Sequence, residues 1–230
     1  MKTYQALALL LTYPEQAWLT HLDEVEALLV EEASINAETA PRLQALFSLL
    51  REQTLIELQQ NYVATFDQNP SHSLHLFEHI HGESRDRGQA MVDLIEEYRK
   101  HDLEIDASEL PDYVPLFLEY LSILPSEEAA TLLGEAINVL ALIGRKLQAN
   151  GSAYHTVFDV LQTLSPVEAV PLPEPPVRDM DEAMERFGPA IDGREPLLMP
   201  QTQVAYADMP KPYRQAQARG WVERSDTHHD

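Results

Sequence analysis

An all-α fold, a compact bundle of about seven to eight helices followed by a proline-rich tail, is what three features of this 230-residue chain predict. Before Ser165 the apolar residues recur almost everywhere at three- and four-residue spacing, and no stretch alternates convincingly as a half-buried strand does. Prolines and polar capping residues cut that pattern into helix-length segments joined by short connections, which favours antiparallel neighbours. Ten of the sixteen prolines then crowd into the 65 residues after Ser165, where they pin φ and remove backbone donors too often for a packed domain. The expected organisation is a helical body over 1–165 and a mostly disordered acidic tail over 166–230.

Each segment has its own signals. Ala6 to Leu11 is too short for a signal peptide core and lacks a small-residue cleavage site, so it reads as a first buried helix stopped before Pro14. Pro14 opens a helix whose Trp18, Leu22, Val25 and Leu29 share a stripe. Pro41 opens another. Thr54 and Glu57 form a capping box ahead of Leu55, Leu58, Tyr62 and Phe66. The loop Asp67 to His72, with Asn69-Pro70, breaks the pattern. A helix from about Ser84 to His101 is expected to carry Met91, Leu94, Ile95 and Tyr98 inward. Asp112 is the natural N-cap of a helix over 113–124, ended by Pro125. Ser126 caps a long helix holding Leu133, Ile137, Leu140 and Leu147, with Asn150-Gly151 at its C-terminus. Val157, Phe158, Leu161 and Leu164 mark the last helix of the body. In the tail, Met180, Met184 and Phe187 stand at helical spacing.

Charge narrows the function classes. Thirty-eight Asp and Glu against sixteen Lys and Arg give a net charge of −22, which repels polyanions at long range and argues against nucleic-acid binding. Residues 1–165 carry 26 of the acidic and 9 of the basic groups, a net −17. Basic peptide segments are the favoured kind of partner. The chain has no cysteine, which excludes disulfides, thiolate metal sites and a thiol nucleophile. No run of eighteen apolar residues occurs, so no membrane insertion is expected and a soluble cytoplasmic protein is the default. Nucleotide-binding glycine motifs and the G-x-S-x-G elbow are absent as well.

Two segments concentrate the polar chemistry. The first runs from His75 to Gln89 and contains Leu76, Phe77, Glu78, His79, His81, Glu83, Arg85, Asp86 and Arg87. Apolar and alternating ionic side chains share one Pro/Gly-bounded connector there, a composition suited to meeting a ligand, although the same charges also suit a solvated, salt-bridged turn. His75, Glu78 and His79 spell the H-x-x-E-H pattern of zinc hydrolases, in which two histidines bind metal and the glutamate activates water. That metal-dependent hydrolase is the alternative reading, and no third ligand for it can be picked out. The second segment, Glu109 to Tyr120, supplies Asp112 and Tyr113 at a helix mouth, then Leu116 and Phe117. There an acid and an amphipathic ring would face a basic or apolar peptide, while core packing is the plain role for most of its aromatics.

The stretches Leu76-Phe77-Glu78-His79-Ile80-His81-Gly82-Glu83-Ser84-Arg85-Asp86-Arg87-Gly88-Gln89-Ala90-Met91-Val92-Asp93-Leu94 and Glu109 to Leu121 closely resemble the molybdenum-cofactor assembly chaperones of membrane-bound respiratory nitrate reductase. Leu10-Leu11-Thr12-Tyr13-Pro14 fits the same family, and the resemblance extends over about residues 5–164. It implies a cytoplasmic, all-helical redox-enzyme maturation protein, neither an enzyme nor a holder of metal or cofactor. Such proteins bind the N-terminal segment of the apo catalytic (alpha) subunit and support molybdenum cofactor and iron–sulfur insertion before membrane docking. In the related E-P-x-D-H-like motif this chain reads Glu109-Leu110-Pro111-Asp112-Tyr113, with Tyr113 where relatives have histidine. The residues expected to hold the client peptide are Leu76, Phe77, Glu78, His79, His81, Glu83, Arg85, Asp86, Arg87, Asp112, Tyr113, Leu116 and Phe117. Monomer and homodimer both stay open at this point.

Overall fold

A computed structural model of the chain describes residues 1–32, 39–81, 85–105 and 109–172. Among them are ten α-helices: α1 (Lys2–Leu10), α2 (Gln16–Leu19), α3 (Leu22–Glu32), α4 (Thr39–Glu52), α5 (Leu55–Tyr62), α6 (Glu78–His81), α7 (Arg85–Arg99), α8 (Val114–Ile123), α9 (Ser126–Ala149) and α10 (His155–Leu164). The count exceeds the expected seven to eight because the segment after Pro14 is split at Thr20-His21 and because α6 is a single extra turn. The all-α class holds, with one isolated antiparallel bridge, His75 to Tyr113, as the extended pairing among the described residues.

The core is built around α9. From Ile137 to Gly144 every residue of this helix is buried and all but Asn138 are apolar, as an interior helix requires. Gly144 lets α10 approach closely: a Cβ there would stand 2.7 Å from the Phe158 Cβ. Asn150 ends α9 and Gly151 turns the chain at φ +70°, the left-handed conformation that glycine adopts without strain. Helix α8 packs on α9 and α1, α1 also meets α3, and α10 meets α4. Leu7, Leu10, Leu46, Phe47, Leu118 and Leu121 fill the space between them.

Local signals succeed and fail for identifiable reasons. The Thr54–Glu57 capping box forms in both directions. Glu15, not Pro14, stands at the start of α2, and Trp18 is only half-buried while Leu22, Val25 and Leu29 are buried. Ser126 does not cap α9; Pro125 occupies the cap position and no side chain closes it. Nor does Asp112 cap α8, where Tyr113 holds that position without a side-chain bond, because the Asp112 carboxylate is drawn across to another segment. In α7 the expected inward stripe is only partly covered: Tyr98 is buried, whereas Met91, Leu94 and Ile95 are half-buried.

Beyond α10, residues 166–172 run against α9. The Val170 N–H donates to Asn138 Oδ1 at 2.7 Å, and a Cβ on Gly134 would lie 3.1 Å from Val167. The tail from 173 onward, including Met180, Met184 and Phe187, lies outside the described residues. No helix among the described residues is long and apolar enough to cross a membrane.

Candidate functional site: a tyrosine-lined cleft

The two polar segments meet. Leu76 N–H donates to Asp112 O at 3.0 Å and Val114 N–H to Leu74 O at 2.8 Å, which zips the 74–77 strand-like piece onto the entrance of α8. Asp112 is fully buried at this junction. Its Oδ1 accepts from His75 Nδ1 at 3.2 Å and its Oδ2 from the Phe77 N–H at 3.0 Å. Phe77 immediately precedes α6, so the carboxylate satisfies a donor that the helix start would otherwise orphan. Asp112 is therefore a staple between segments and not an acid presented to solvent. Tyr98 anchors the same junction from α7 by donating its hydroxyl to Pro111 O at 2.8 Å.

The neighbouring histidines are held in place. His79 is buried, with Nε2 2.8 Å from Ser73 O, and His72 spans Thr65 O at 3.1 Å and Asn150 Nδ2 at 2.6 Å. The motif does not take the form the hydrolase reading needs: His75 precedes α6, so His75 and His79 do not share a helical face. Among the described residues the group able to gather ligand atoms within 4.8 Å of one another is Glu97, His101 and Glu128, in another place.

Beside the bridge opens a cleft of about 260 Å³, lined by Tyr13, Tyr62, Phe66, Asp67, Ser73, Leu74, His75 and Tyr113. One irregular turn shapes it. After α5 the chain continues as a π-helical turn, Val63–Asp67, in which Gln68 N–H reaches back to Val63 O at 3.0 Å. Such wide turns often stand at functional sites; this one buries Phe66 and leaves Asp67 exposed at the rim. Tyr62 packs edge-on to Tyr13 at 5.5 Å and tilted on Phe66 at 4.9 Å, and His75 lies 5.5 Å from Tyr113. Burial pushes the Tyr62 phenol well above its ordinary range and raises that of Tyr113 as well, so both stay protonated at neutral pH.

The expected contact residues fall into three groups. Leu76, His79, Asp112 and Phe117 are buried and act by positioning. Phe77, Glu78, His81, Tyr113 and Leu116 are half-buried around the junction, and Arg87 Nη2 ties α7 to α6 through Glu78 Oε1 at 3.0 Å. Arg85 and Asp86 are exposed at the start of α7, and Glu83 lies outside the described residues. Tyr13, Tyr62, Phe66 and Asp67 were not among the expected site residues. Tyr62 and Phe66 stand four apart on an apolar stripe and so look like core, and only the unbroken approach of Asp67 to that stripe hinted at a polar rim.

Comparisons place this architecture. The sequence model of the family described as "Nitrate reductase delta subunit" matches residues 32–164. The nitrate reductase molybdenum cofactor assembly chaperone NarJ of Escherichia coli (strain K12) is 41% identical over 156 residues, 68% of this chain, and the match spans 66% of that protein. A solved structure of a candidate redox enzyme maturation protein from Archaeoglobus fulgidus superposes with a TM-score of 0.51, covering 71% of this chain and 92% of that one at 21% identity, and so speaks for the fold alone. With more than half its length matched, bearing both segments that form the cleft, the chain belongs to the nitrate reductase delta subunit family.

Proposed function

We propose that this chain is a non-catalytic, client-specific assembly chaperone of the cytoplasm. It binds the N-terminal segment of the apo catalytic subunit of respiratory nitrate reductase and keeps that subunit open to molybdenum cofactor and iron–sulfur insertion before membrane docking. The observation that carries the reading is the cleft beside the His75–Tyr113 bridge: its aromatic walls and acidic rim sit where the two segments resembling assembly chaperones join. The net −17 of residues 1–165 supports attraction of a basic chain end, and similarity to NarJ supports the kind of client. Tyr113, Phe77, Leu116 and His81 supply contact around the cleft, with Glu78, Arg85, Asp86 and Arg87 as the flanking charges. Asp112, His79, Leu76 and Phe117 hold them in register.

The test is co-purification of the full chain with the apo catalytic subunit, with and without that subunit's N-terminal segment, paired with the molybdenum content of the reductase made in cells lacking the chain. Capture that needs the segment, together with a metal-poor reductase, is expected. Equal capture of the truncated subunit, or an unchanged molybdenum content, overturns the reading.

A further inference from the structure

The proton bookkeeping of the cleft gives it a definite polarity. Tyr62 Oη lies 3.0 Å from Leu11 O and 3.1 Å from Tyr113 Oη. A carbonyl only accepts, so the single Tyr62 proton goes to Leu11, and the second bond must be donated by Tyr113. With its proton committed, the Tyr113 oxygen has only lone pairs to offer a ligand. His75 Nδ1 stands 3.2 Å from a buried carboxylate oxygen of Asp112, which only accepts, so His75 Nδ1 carries a proton and is the donor of that bond. Asp67 adds an exposed carboxylate. None of the described residues lining the cleft is Lys or Arg. Burial raises the Tyr113 phenol, the hydrogen bond with Tyr62 opposes it, and the nearby carboxylates of Glu109, Asp67 and Glu119 add to the rise.

We propose that the cleft is a cage for one cationic side chain, a lysine ammonium or an arginine guanidinium carried by the client segment. The Asp67 carboxylate and Tyr113 Oη accept its N–H groups, while the rings of Tyr13, Tyr62 and Phe66 supply cation–π and stacking contact. Both cations are donor-only groups, the complement of the Asp67 carboxylate and of a Tyr113 oxygen whose proton is already committed. Their hydrogen bonds to a carboxylate are charge-assisted, and aromatic faces attract them further. The inference rests on the chaperone reading for the identity of the ligand's carrier; the polarity of the lining stands without it.

Two probes keep the two readings apart. Ethylguanidinium and its neutral isostere ethylurea are titrated at matched ionic strength into the full chain, with the ring protons of Tyr13 and Tyr113 followed by NMR. A saturable shift with ethylguanidinium alone, weakened about tenfold by Asp67→Asn, is the expected result. Equal shifts with both compounds, or none with either, overturn the cage. In the second arm the N-terminal peptide of the catalytic subunit is compared with a version whose arginines and lysines are replaced by citrulline and norleucine. The native peptide is expected to bind about tenfold more tightly, and Asp67→Asn to weaken it without weakening the neutral one. Ring shifts with no binding of either peptide would leave the cage standing and remove the chaperone reading. Equal binding of both peptides, with no shift by ethylguanidinium, would do the reverse.

Discussion

Helices α9 and α7 are the two longest among the described residues, 24 and 15 residues, and they live in opposite surroundings. α9 buries every residue from Ile137 to Gly144, with Ala129, Leu133 and Leu147, and meets α8, α10 and the chain that follows α10. α7 buries one residue fully, Tyr98, and is tied to α6 by the Arg87–Glu78 pair. The comparison separates two sources of order. One is packing of apolar volume, which surrounds α9 and sets the stability of the body. The other is a small number of polar staples, Asp112 foremost, which fix the connector before α7 and the wall of the cleft. A half-covered helix held by staples depends on few contacts, and the segment proposed to meet the client lies beside it.

The sharpest way to break the comparison is a matched truncation. Leu140 on α9 is fully buried, whereas Leu94 on α7 is half-buried. Leu140→Ala is expected to cost about 3–5 kcal/mol, a lost side chain plus an unfilled cavity, and Leu94→Ala about 1–2 kcal/mol because solvent already reaches it. Urea unfolding at constant m-value measures both. Equal losses would show that α7 is as integral to the core as α9.

A middle-sized effect comes from the staple itself. Asp112→Ala leaves the Phe77 N–H and the His75 Nδ1–H without their acceptor in a buried place, an expected loss of about 1–3 kcal/mol. Asp112→Asn keeps one carbonyl oxygen for Phe77 and should recover part of it. Both variants are expected to weaken client binding more than Leu140→Ala does at a temperature where all remain folded, since the staple and not the core shapes the cleft. If the ranking is reversed in calorimetry of peptide binding, the cleft is set by global packing.

The contrast between packing and staples also explains what could be read from the sequence. The helices were legible because burial imposes the 3.6-residue period, as in α9 and α10, and because Thr54 with Glu57 and Asn150 with Gly151 are local signals that depend on neighbours in the chain. Asp112 was legible as important yet misassigned. An aspartate before a helix normally caps it, and what diverts this one is a bond to Phe77, thirty-five residues away. The cleft was half legible. Tyr113 and His75 lay in conspicuous segments, while Tyr13, Tyr62 and Phe66 have the spacing of core residues and become a wall only after the π-helical turn of 63–67 opens beside them. A turn of that kind leaves no mark in hydropathy.

The smallest expected effect concerns the edge of the stapled region, where pH discriminates it from the core. Burial holds the His81 imidazole below its ordinary range; Asp86 pulls the other way and Arg87 adds to the lowering. Above pH about 6.5 the ring is neutral in both folded and unfolded chains, and its contribution is at its best. As pH falls through the unfolded value the unfolded chain takes up a proton first, so stability declines until the folded ring also titrates. His81→Gln removes that term. The melting temperature of the wild type should therefore fall more between pH 7.5 and pH 5.5 than that of the variant, by a small margin, with all other groups common to both. Parallel declines would mean that the 78–81 turn opens to water before the body melts, a looser connector than the staples at Asp112 and Arg87 imply.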